Sequence, residues 1–130
     1  MPWKCPDCGT ETIADAENRC PNCPYVRFPA GIVLVSDATG KEAQTRLPFT
    51  FGKATLDRLG DADVKYVSNE QFKLEKHTEQ GGWAVVNVSW ATNPTFLNGA
   101  AIPSEGVILK NGDKLSVKDK YFRLTVRVLT

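Results

Sequence analysis

All four cysteines of this chain lie within its first 23 residues, and this grouping constrains the fold more than any other feature. They form two C-x-x-C pairs that are separated by eleven residues, and their positions are Cys5, Cys8, Cys20 and Cys23. Two such turns can place four thiolates tetrahedrally around one metal ion, with sulfur about 2.3 Å from zinc. The spacing therefore predicts a small metal-binding module in residues 1–28, with zinc as its cofactor.

The same cysteines leave two alternatives to zinc. Two disulfides would suit a secreted miniprotein, but the rest of the chain contains no cysteine and no apolar export signal leads it. Iron in a rubredoxin-like site stays open, because thiolate geometry alone does not separate it from zinc. The pattern resembles a short zinc ribbon, in which Gly9 lets the chain turn N–H groups toward the sulfurs. Pro24 follows the second pair and has no N–H to donate.

The charge of the chain argues against a nucleic-acid partner. Residues 1–28 carry three basic and four acidic side chains, a net charge of −1, and four thiolates around a zinc ion add about −2. Binding to a phosphate backbone depends on Lys and Arg side chains that neutralise it. The whole chain has a formal charge of +1, so no strong field attracts nucleic acid or an anionic membrane. We expect no nucleic-acid partner. The module is expected to be a structural cap or a docking surface for another protein.

The chain as a whole has the length and composition of a protein with one main globular domain. With 130 residues and 42% hydrophobic content, the protein can bury one main core. No apolar run reaches the length that spans a membrane, so we expect a cytoplasmic protein with no membrane partner. A proline and a glycine punctuate residues 27–31, which predicts a boundary between the module 1–28 and a main domain 29–130.

The main domain has the sequence pattern of β-strands. Residues 32–35 form a β-branched run, and apolar residues alternate with polar ones over residues 122–128. Residues 72–76 and 83–88 flank a Gly-Gly turn, which predicts a hairpin. No segment gives a convincing helix, since the best window, residues 53–59, is short and flanked by glycines. Closely spaced strands with Gly, Asn and Asp turns predict an all-β antiparallel sandwich.

Four short motifs follow one another along the main domain. The two later ones are TNPTFLNG at residues 92–99 and LKNGDKL at residues 109–115. The two earlier ones are FGK at residues 51–53 and SNEQF at residues 68–72. In this order they resemble the signature of forkhead-associated (FHA) domains, and the resemblance covers about residues 31–130. It implies an FHA-like antiparallel β-sandwich whose binding loops lie at one end.

The resemblance also implies a site for phosphothreonine in partner proteins. A phosphate group carries a charge of about −1.5 to −2, so its site needs a cation and several neutral donors on a rigid frame. By the resemblance, Ser68 and Thr92 donate hydroxyl groups to the phosphate, and Lys53 takes the family's arginine position. Asn69 and Asn93 are implied to bond the main chain of the bound peptide. The simpler alternative is that Ser68, Thr92 and Asn93 are turn residues that bond their own backbone.

Four positions depart from the family pattern, among them Ala91, which lies where a serine is usual. Lys53 offers a point charge where arginine offers a planar fork, so the attraction is kept and the geometry is lost. Gln71 stands where the family has a histidine that braces the loops, and its amide can both donate and accept. Pro94 replaces a glycine that can take positive φ, and it pushes Asn93 away from helical backbone angles. The loop that carries Thr92 is therefore expected to follow a different path.

These residues favour a phosphothreonine-recognition module, not an enzyme, that mediates protein–protein interactions in kinase-linked signalling. His77 is the only histidine, and with the cysteines on a metal no Cys/His pair remains for nucleophilic catalysis. The first alternative is an FHA scaffold that has lost its phosphate dependence and binds an unmodified protein. The second is a zinc ribbon that binds nucleic acid while the sandwich supports it.

Overall fold

Two antiparallel sheets form the main domain in a computed structural model, which describes residues 1–17, 19–23, 25, 30–76, 82–118 and 120–129. The first sheet has the order β2-β1-β10-β9-β6-β7 and the second has the order β3-β4-β5-β8. The strands are β1 (Gly31–Ser36), β2 (Glu42–Thr45), β3 (Phe49–Phe51), β4 (Phe72–Lys76), β5 (Trp83–Asn87), β6 (Thr95–Leu97), β7 (Ala100–Ala101), β8 (Val107–Ile108), β9 (Lys114–Val117) and β10 (Tyr121–Leu129).

Strands β1 and β10 form the longest pairing, from Gly31 opposite Leu129 to Ser36 opposite Leu124. In β10 the alternation seen in the sequence sends Phe122, Leu124 and Val126 into the core, and the arginines between them are exposed. This is the pattern of a strand that is buried on one face. The two strands predicted at residues 32–35 and 122–128 are therefore confirmed.

The predicted hairpin is also present. Strand β4 pairs with β5 from Phe72 opposite Asn87 to Lys76 opposite Trp83. The connecting residues 77–81, with His77, lie outside the described residues.

A short helical segment lies between β3 and β4. It consists of helix α1 (Lys53–Leu56) and two 3₁₀ turns, Asp57–Leu59 and Ala62–Tyr66. Leu56 and Leu59 are fully buried, and this burial holds the first part of the segment on the core. The expectation of no convincing helix fits these short turns, and the window singled out at residues 53–59 is the helical one. The turn at Ala62–Tyr66 was not predicted.

The core lies between the facing sides of the two sheets. Phe51 and Phe72 stack there with ring centroids 5.5 Å apart, and Trp83 is wholly buried in the same core. Truncating a buried side chain of this kind to alanine costs about 3 to 5 kcal/mol. The sandwich therefore has a core of its own, independent of the cysteine module.

The cysteine module has a separate small core. Trp3 pairs with Ile13 in an isolated antiparallel bridge, and Ile13 packs with Cys5, Cys20 and Tyr25. The rings of Trp3 and Tyr25 lie 6.1 Å apart in the module's own cluster. Residues 26–29, where the boundary between 1–28 and 29–130 is predicted, lie outside the described residues, so that division stays a prediction.

The described part of the chain contains no helix with the length and apolar character needed to cross a membrane.

Candidate functional site

The loops at one end of the sandwich surround an open cavity. Strand β3 ends at Phe51 and β5 ends at Asn87, while β4 begins at Phe72 and β6 begins at Thr95, so both intervening segments emerge together. The cavity has a volume of about 530 Å³. All five residues predicted as the peptide site line it, together with residues that were not predicted. Its lining is Lys53, Lys65, Tyr66, Val67, Ser68, Asn69, Glu70, Trp90, Thr92 and Asn93.

Close packing at Gly52 positions Lys53 against the second loop. A Cβ atom on Gly52 would lie 1.7 Å from the Asn69 carbonyl oxygen, so no larger residue fits without moving the backbone. The backbone N–H of Lys53 donates to the Ser68 carbonyl oxygen at 2.9 Å. The lysine and the serine are thus fixed relative to each other through their main chains.

The Ser68 side chain joins its own loop to the loop that carries Thr92. Its hydroxyl oxygen accepts a hydrogen bond from the backbone N–H of Thr92 at 2.9 Å. A hydroxyl has one proton to donate as well as lone pairs, so accepting this bond leaves the proton available for a ligand. The arrangement holds Ser68 and Thr92 side by side at the cavity.

The buried side chain of Gln71 braces both loops from below. Its amide oxygen accepts from the backbone N–H of Ser68 at 2.9 Å. Its amide nitrogen donates to the Asn93 carbonyl oxygen at 2.5 Å and to the Thr95 hydroxyl at 2.9 Å. The side chain has no solvent exposure, so water cannot form these hydrogen bonds in its place. This glutamine therefore makes the contacts of a brace in the way the sequence suggested.

Asn93 is held partly by its own protein. Its side-chain amide donates to the Tyr66 carbonyl oxygen at 2.9 Å; Tyr66 lies on the other loop, so this is not the local backbone bond of the simpler alternative. An amide carries a second N–H and a carbonyl oxygen, so Asn93 keeps one donor and one acceptor group. The next residue, Pro94, accepts from the backbone N–H of Lys118 at 3.0 Å, which ties the loop to the end of β9.

Asn87 fixes the other side of the same loop. Its side-chain carbonyl accepts from the Thr95 N–H at 3.0 Å, and its amide donates to the Thr95 carbonyl oxygen at 3.1 Å. The side chain thus copies the paired bonds of a strand and closes the segment between β5 and β6. Asn87 was not predicted as a site residue, because its role depends on a partner eight positions away.

The ligand-facing side chains are open at the cavity. Lys53, Asn69 and Thr92 are exposed, and their side chains make no hydrogen bond or ion pair with any described residue. The acid at the cavity, Glu70, accepts from the Trp90 indole at 3.2 Å. Two lysines and one glutamate line the cavity, so its charge favours an anion.

The four cysteines form a second candidate site. Their sulfur atoms all lie within 4.8 Å of one another, with Cys5–Cys23 and Cys8–Cys20 sulfurs 3.5 Å apart. A tetrahedron with metal–sulfur bonds of about 2.3 Å has sulfurs about 3.8 Å apart, so the cluster fits one metal ion. Sulfurs in a disulfide are about 2.0 Å apart, and these cysteines are free thiols.

Thr10 supports the exposed part of the cysteine cluster. Hydrogen bonds from its side chain and its backbone lower the pKa of the Cys8 thiol to about 6. Its hydroxyl also accepts from the Asn22 side chain at 3.0 Å, which connects the two cysteine turns. A lower thiol pKa favours the thiolate that a metal requires. Gly9 has a φ of 79°, a conformation that suits glycine at the end of the first turn.

Comparison with known proteins identifies the main domain. The family model for the FHA domain matches residues 49–118. The chain belongs to the FHA family. No curated protein matches it in sequence.

Solved FHA structures share the fold of this FHA chain. An FHA domain from a structural and functional analysis of phosphothreonine-dependent FHA domain interactions is 21% identical, with a TM-score of 0.57 over 75% of this chain and 95% of that one. The FhaA FHA domain, complexed with the intracellular domain of Rv3910, is 21% identical, with a TM-score of 0.56 over 74% and 99%. Mycobacterium tuberculosis EmbR, in complex with a low-affinity phosphopeptide, is 16% identical, with a TM-score of 0.59 over 88% and 27%. The predicted family and the all-β sandwich are thereby confirmed.

Proposed function

We propose that this FHA domain recognises phosphothreonine-containing segments of partner proteins. It acts as a non-enzymatic adaptor in kinase-linked signalling in the cytoplasm. The observation that carries the proposal is the meeting of Lys53, Ser68 and Thr92 at one cavity, with Ser68 hydrogen-bonded to the Thr92 N–H. The family membership supports the same function.

The phosphate is assigned to the hydroxyl groups and the lysine. The Ser68 and Thr92 hydroxyls supply neutral donors, and the exposed Lys53 ammonium supplies the cation. Hydrogen bonds to a charged group contribute about 1.5 to 3 kcal/mol each, more than bonds between neutral groups. Because Gln71 fixes the two loops before the ligand arrives, little binding energy is spent on ordering them.

The peptide main chain is assigned to the two asparagines. Asn69 is exposed with its side-chain amide open, and Asn93 keeps one N–H and its carbonyl oxygen after bonding Tyr66. Amide groups match the donors and acceptors of a peptide backbone without regard to its side chains. They therefore fix the position of the segment and leave its sequence to other contacts.

We further propose that zinc occupies the four-cysteine cluster and has a structural role. The chemistry of the donor set supports this, since Cys5, Cys8, Cys20 and Cys23 supply four thiolates and complete a closed tetrahedral shell. A closed shell leaves no position for a reacting water, which is consistent with a non-enzymatic protein. Iron in the same cluster is the alternative, and metal analysis distinguishes it from zinc.

Titration with three matched peptide pools tests the proposed function. The pools are degenerate around a central phosphothreonine, phosphoserine or unmodified threonine, and binding is followed by fluorescence anisotropy. Preference for the phosphothreonine pool is expected. Equal binding to all three pools would instead support a phosphate-independent scaffold and reject the proposal. Binding to single-stranded nucleic acid with no binding to any pool would favour the ribbon-centred alternative.

A further inference from the structure

A basic and aromatic surface adjoins the cavity, which we call the Lys–Tyr patch. The rings of Tyr66 and Tyr121 stack with centroids 4.1 Å apart and an interplanar angle of 23°. The Lys65 and Lys118 ammonium groups lie 5.3 Å and 6.0 Å from the centroid of the Tyr66 ring. The Lys120 ammonium lies 5.9 Å from the Tyr121 ring. The patch thus consists of Lys65, Tyr66, Lys118, Lys120 and Tyr121.

The patch is fixed relative to the proposed phosphate site. Lys65 and Tyr66 line the cavity themselves, and the Tyr66 carbonyl oxygen holds the Asn93 side chain. On the other side, the Lys118 N–H donates to the Pro94 carbonyl oxygen at 3.0 Å. Both halves of the patch are therefore bonded to the loop that carries Thr92. A ligand seated at Thr92 extends over a surface whose position is already set.

The patch carries three positive charges, and no acidic side chain in the described part of the chain forms an ion pair with them. Within the described residues, no ion pair involves Lys65, Lys118 or Lys120. The nearby Asp63 side chain lies 3.5 Å from the Phe122 backbone N–H, a long contact with β10. A lysine over an aromatic ring keeps its ammonium partly solvated and able to attract an anion. Uncompensated lysines beside a peptide site favour an acidic ligand.

We propose that the Lys–Tyr patch binds a second anionic group of the segment whose phosphothreonine occupies the cavity. The group is a carboxylate or a second phosphate within a few residues of the phosphothreonine. This inference rests on the proposed function and adds a sequence preference to it. Lysine is a point charge without a fixed fork, so the patch accepts either anion and attracts the more highly charged phosphate more strongly. The stacked tyrosines supply an apolar surface beneath the peptide between the two anions.

Phosphothreonine pools with altered flanks test this inference. One pool carries only Asp and Glu among otherwise neutral flanking residues, a second carries Asn and Gln there, and a third carries one phosphoserine. At low salt we expect the acidic pool to bind the wild-type protein about threefold to tenfold more tightly than the neutral pool, the scale of one or two exposed ion pairs. If only the phosphoserine pool binds more tightly than the neutral pool, the second anion is a phosphate. Gain with both would show that a carboxylate suffices.

Variants then locate the preference. Lys65→Gln combined with Lys118→Gln should bring the ratio of acidic-pool to neutral-pool affinity close to one. Lys73→Gln is the control for loss of positive charge elsewhere, because Lys73 lies on β4 at a different surface; it removes one charge where the double variant removes two. Asp119→Asn is a second control. It removes the acidic side chain that separates Lys118 from Lys120 in the sequence.

Three results would overturn the inference. Equal affinity of the wild-type protein for the acidic, neutral and phosphoserine pools would reject it, provided that binding still depends on Ser68, and would leave the proposed function intact. Loss of the preference in Lys73→Gln to the same extent as in the double variant would place the second anion elsewhere. Absence of any preference for phosphothreonine over unmodified threonine would reject the proposed function itself, and this inference with it.

Discussion

The Lys110 ammonium forms an ion pair with the Asp7 carboxylate, which joins the turn after β8 to the first cysteine turn. This turn lies beside Trp83, since the Leu109 N–H donates to the Trp83 carbonyl oxygen at 2.7 Å. Strand β5 runs from Trp83 to Asn87, at the cavity, a length of about 13 Å. The cysteine module and the cavity therefore lie at opposite ends of the second sheet. They present two separate surfaces, and neither needs the other for its geometry.

Metal removal should therefore unfold the module and spare the peptide site. We expect about one zinc ion per chain by elemental analysis, because four thiolates complete one tetrahedral shell. Chelation, or Cys20→Ser, should abolish the slow amide exchange of Cys5 and Cys20, whose N–H groups bond within the module. Affinity for a phosphothreonine peptide should stay within about twofold of the wild type, since the sites are far apart. Loss of peptide binding on chelation would show that the two ends are coupled.

The Lys110–Asp7 pair should contribute little to stability and more to docking of the module. The two side chains are 46% and 29% exposed, and ion pairs at such positions contribute about 0.2 to 1 kcal/mol. The hydrogen bond with the Asp7 carboxylate raises the pKa of Lys110. A double-mutant cycle with Lys110→Met and Asp7→Asn should yield a coupling energy in this range that falls at high salt. Amide chemical shifts at residues 5–10 should change in each single variant. No coupling at low salt would contradict the pair.

Replacing Gln71 should loosen both loops at once. In Gln71→Leu the volume is kept, but the Ser68 N–H and the Asn93 carbonyl lose a buried partner. We expect the free energy of unfolding to fall by about 2 to 4 kcal/mol in urea denaturation. Gln44→Leu is the matched control, because Gln44 is exposed on β2 and its loss should change stability by less than about 0.5 kcal/mol. Similar losses of unfolding free energy in both variants would show that the Gln71 side chain does not hold the two loops.

Much of this molecule was predictable from the sequence, because the informative patterns are local. The four cysteines come together as their spacing predicts. Strand β1 was predicted from a β-branched run, β4 and β5 from the Gly-Gly turn between them, and β10 from its apolar alternation. The five predicted site residues also meet at one cavity, since their loops emerge at the same end of the sandwich. Their role toward a phosphopeptide stays a prediction.

What the sequence could not supply depends on contacts between distant segments. Nothing local indicates that Tyr66 stacks on Tyr121, fifty-five positions later, and so the Lys–Tyr patch was missed. The turn at Ala62–Tyr66 has no apolar period and forms because Asp61 accepts from the Asp63 N–H at 2.9 Å. The path after Pro94 is set by a bond from Lys118. The bond between Asp61 and Asp63 is local, but the tyrosine stack and the Pro94 contact each depend on a tertiary partner that no short sequence window contains.

Loss of one phosphate ligand should weaken peptide binding without unfolding the domain. Ser68→Ala and Lys53→Ala should each cost about 1 to 3 kcal/mol of binding free energy, the scale of one charge-assisted hydrogen bond. Calorimetric titration measures this, with Ser89→Ala as the control because Ser89 is exposed and does not line the cavity. Lys53→Arg should strengthen binding, since a guanidinium offers two parallel donors to phosphate. Unchanged affinity in both alanine variants would place the phosphate elsewhere.

The pH dependence of binding should follow the ligand and not the protein. The second pKa of a phosphate group lies near 6, so lowering the pH from 7.5 to 5.5 converts much of the dianion to the monoanion. If the cavity prefers the dianion, affinity falls about threefold to fivefold over this range, and the fall occurs as the pH drops through the phosphate pKa. None of the described residues that line the cavity is a histidine, and His77→Gln should leave the profile unchanged. A methylene-phosphonate ligand, whose second pKa is higher than that of a phosphate ester, should move the midpoint up by the same amount. A midpoint that stays the same when the ligand is changed, but shifts in His77→Gln, would show that a protein group titrates instead.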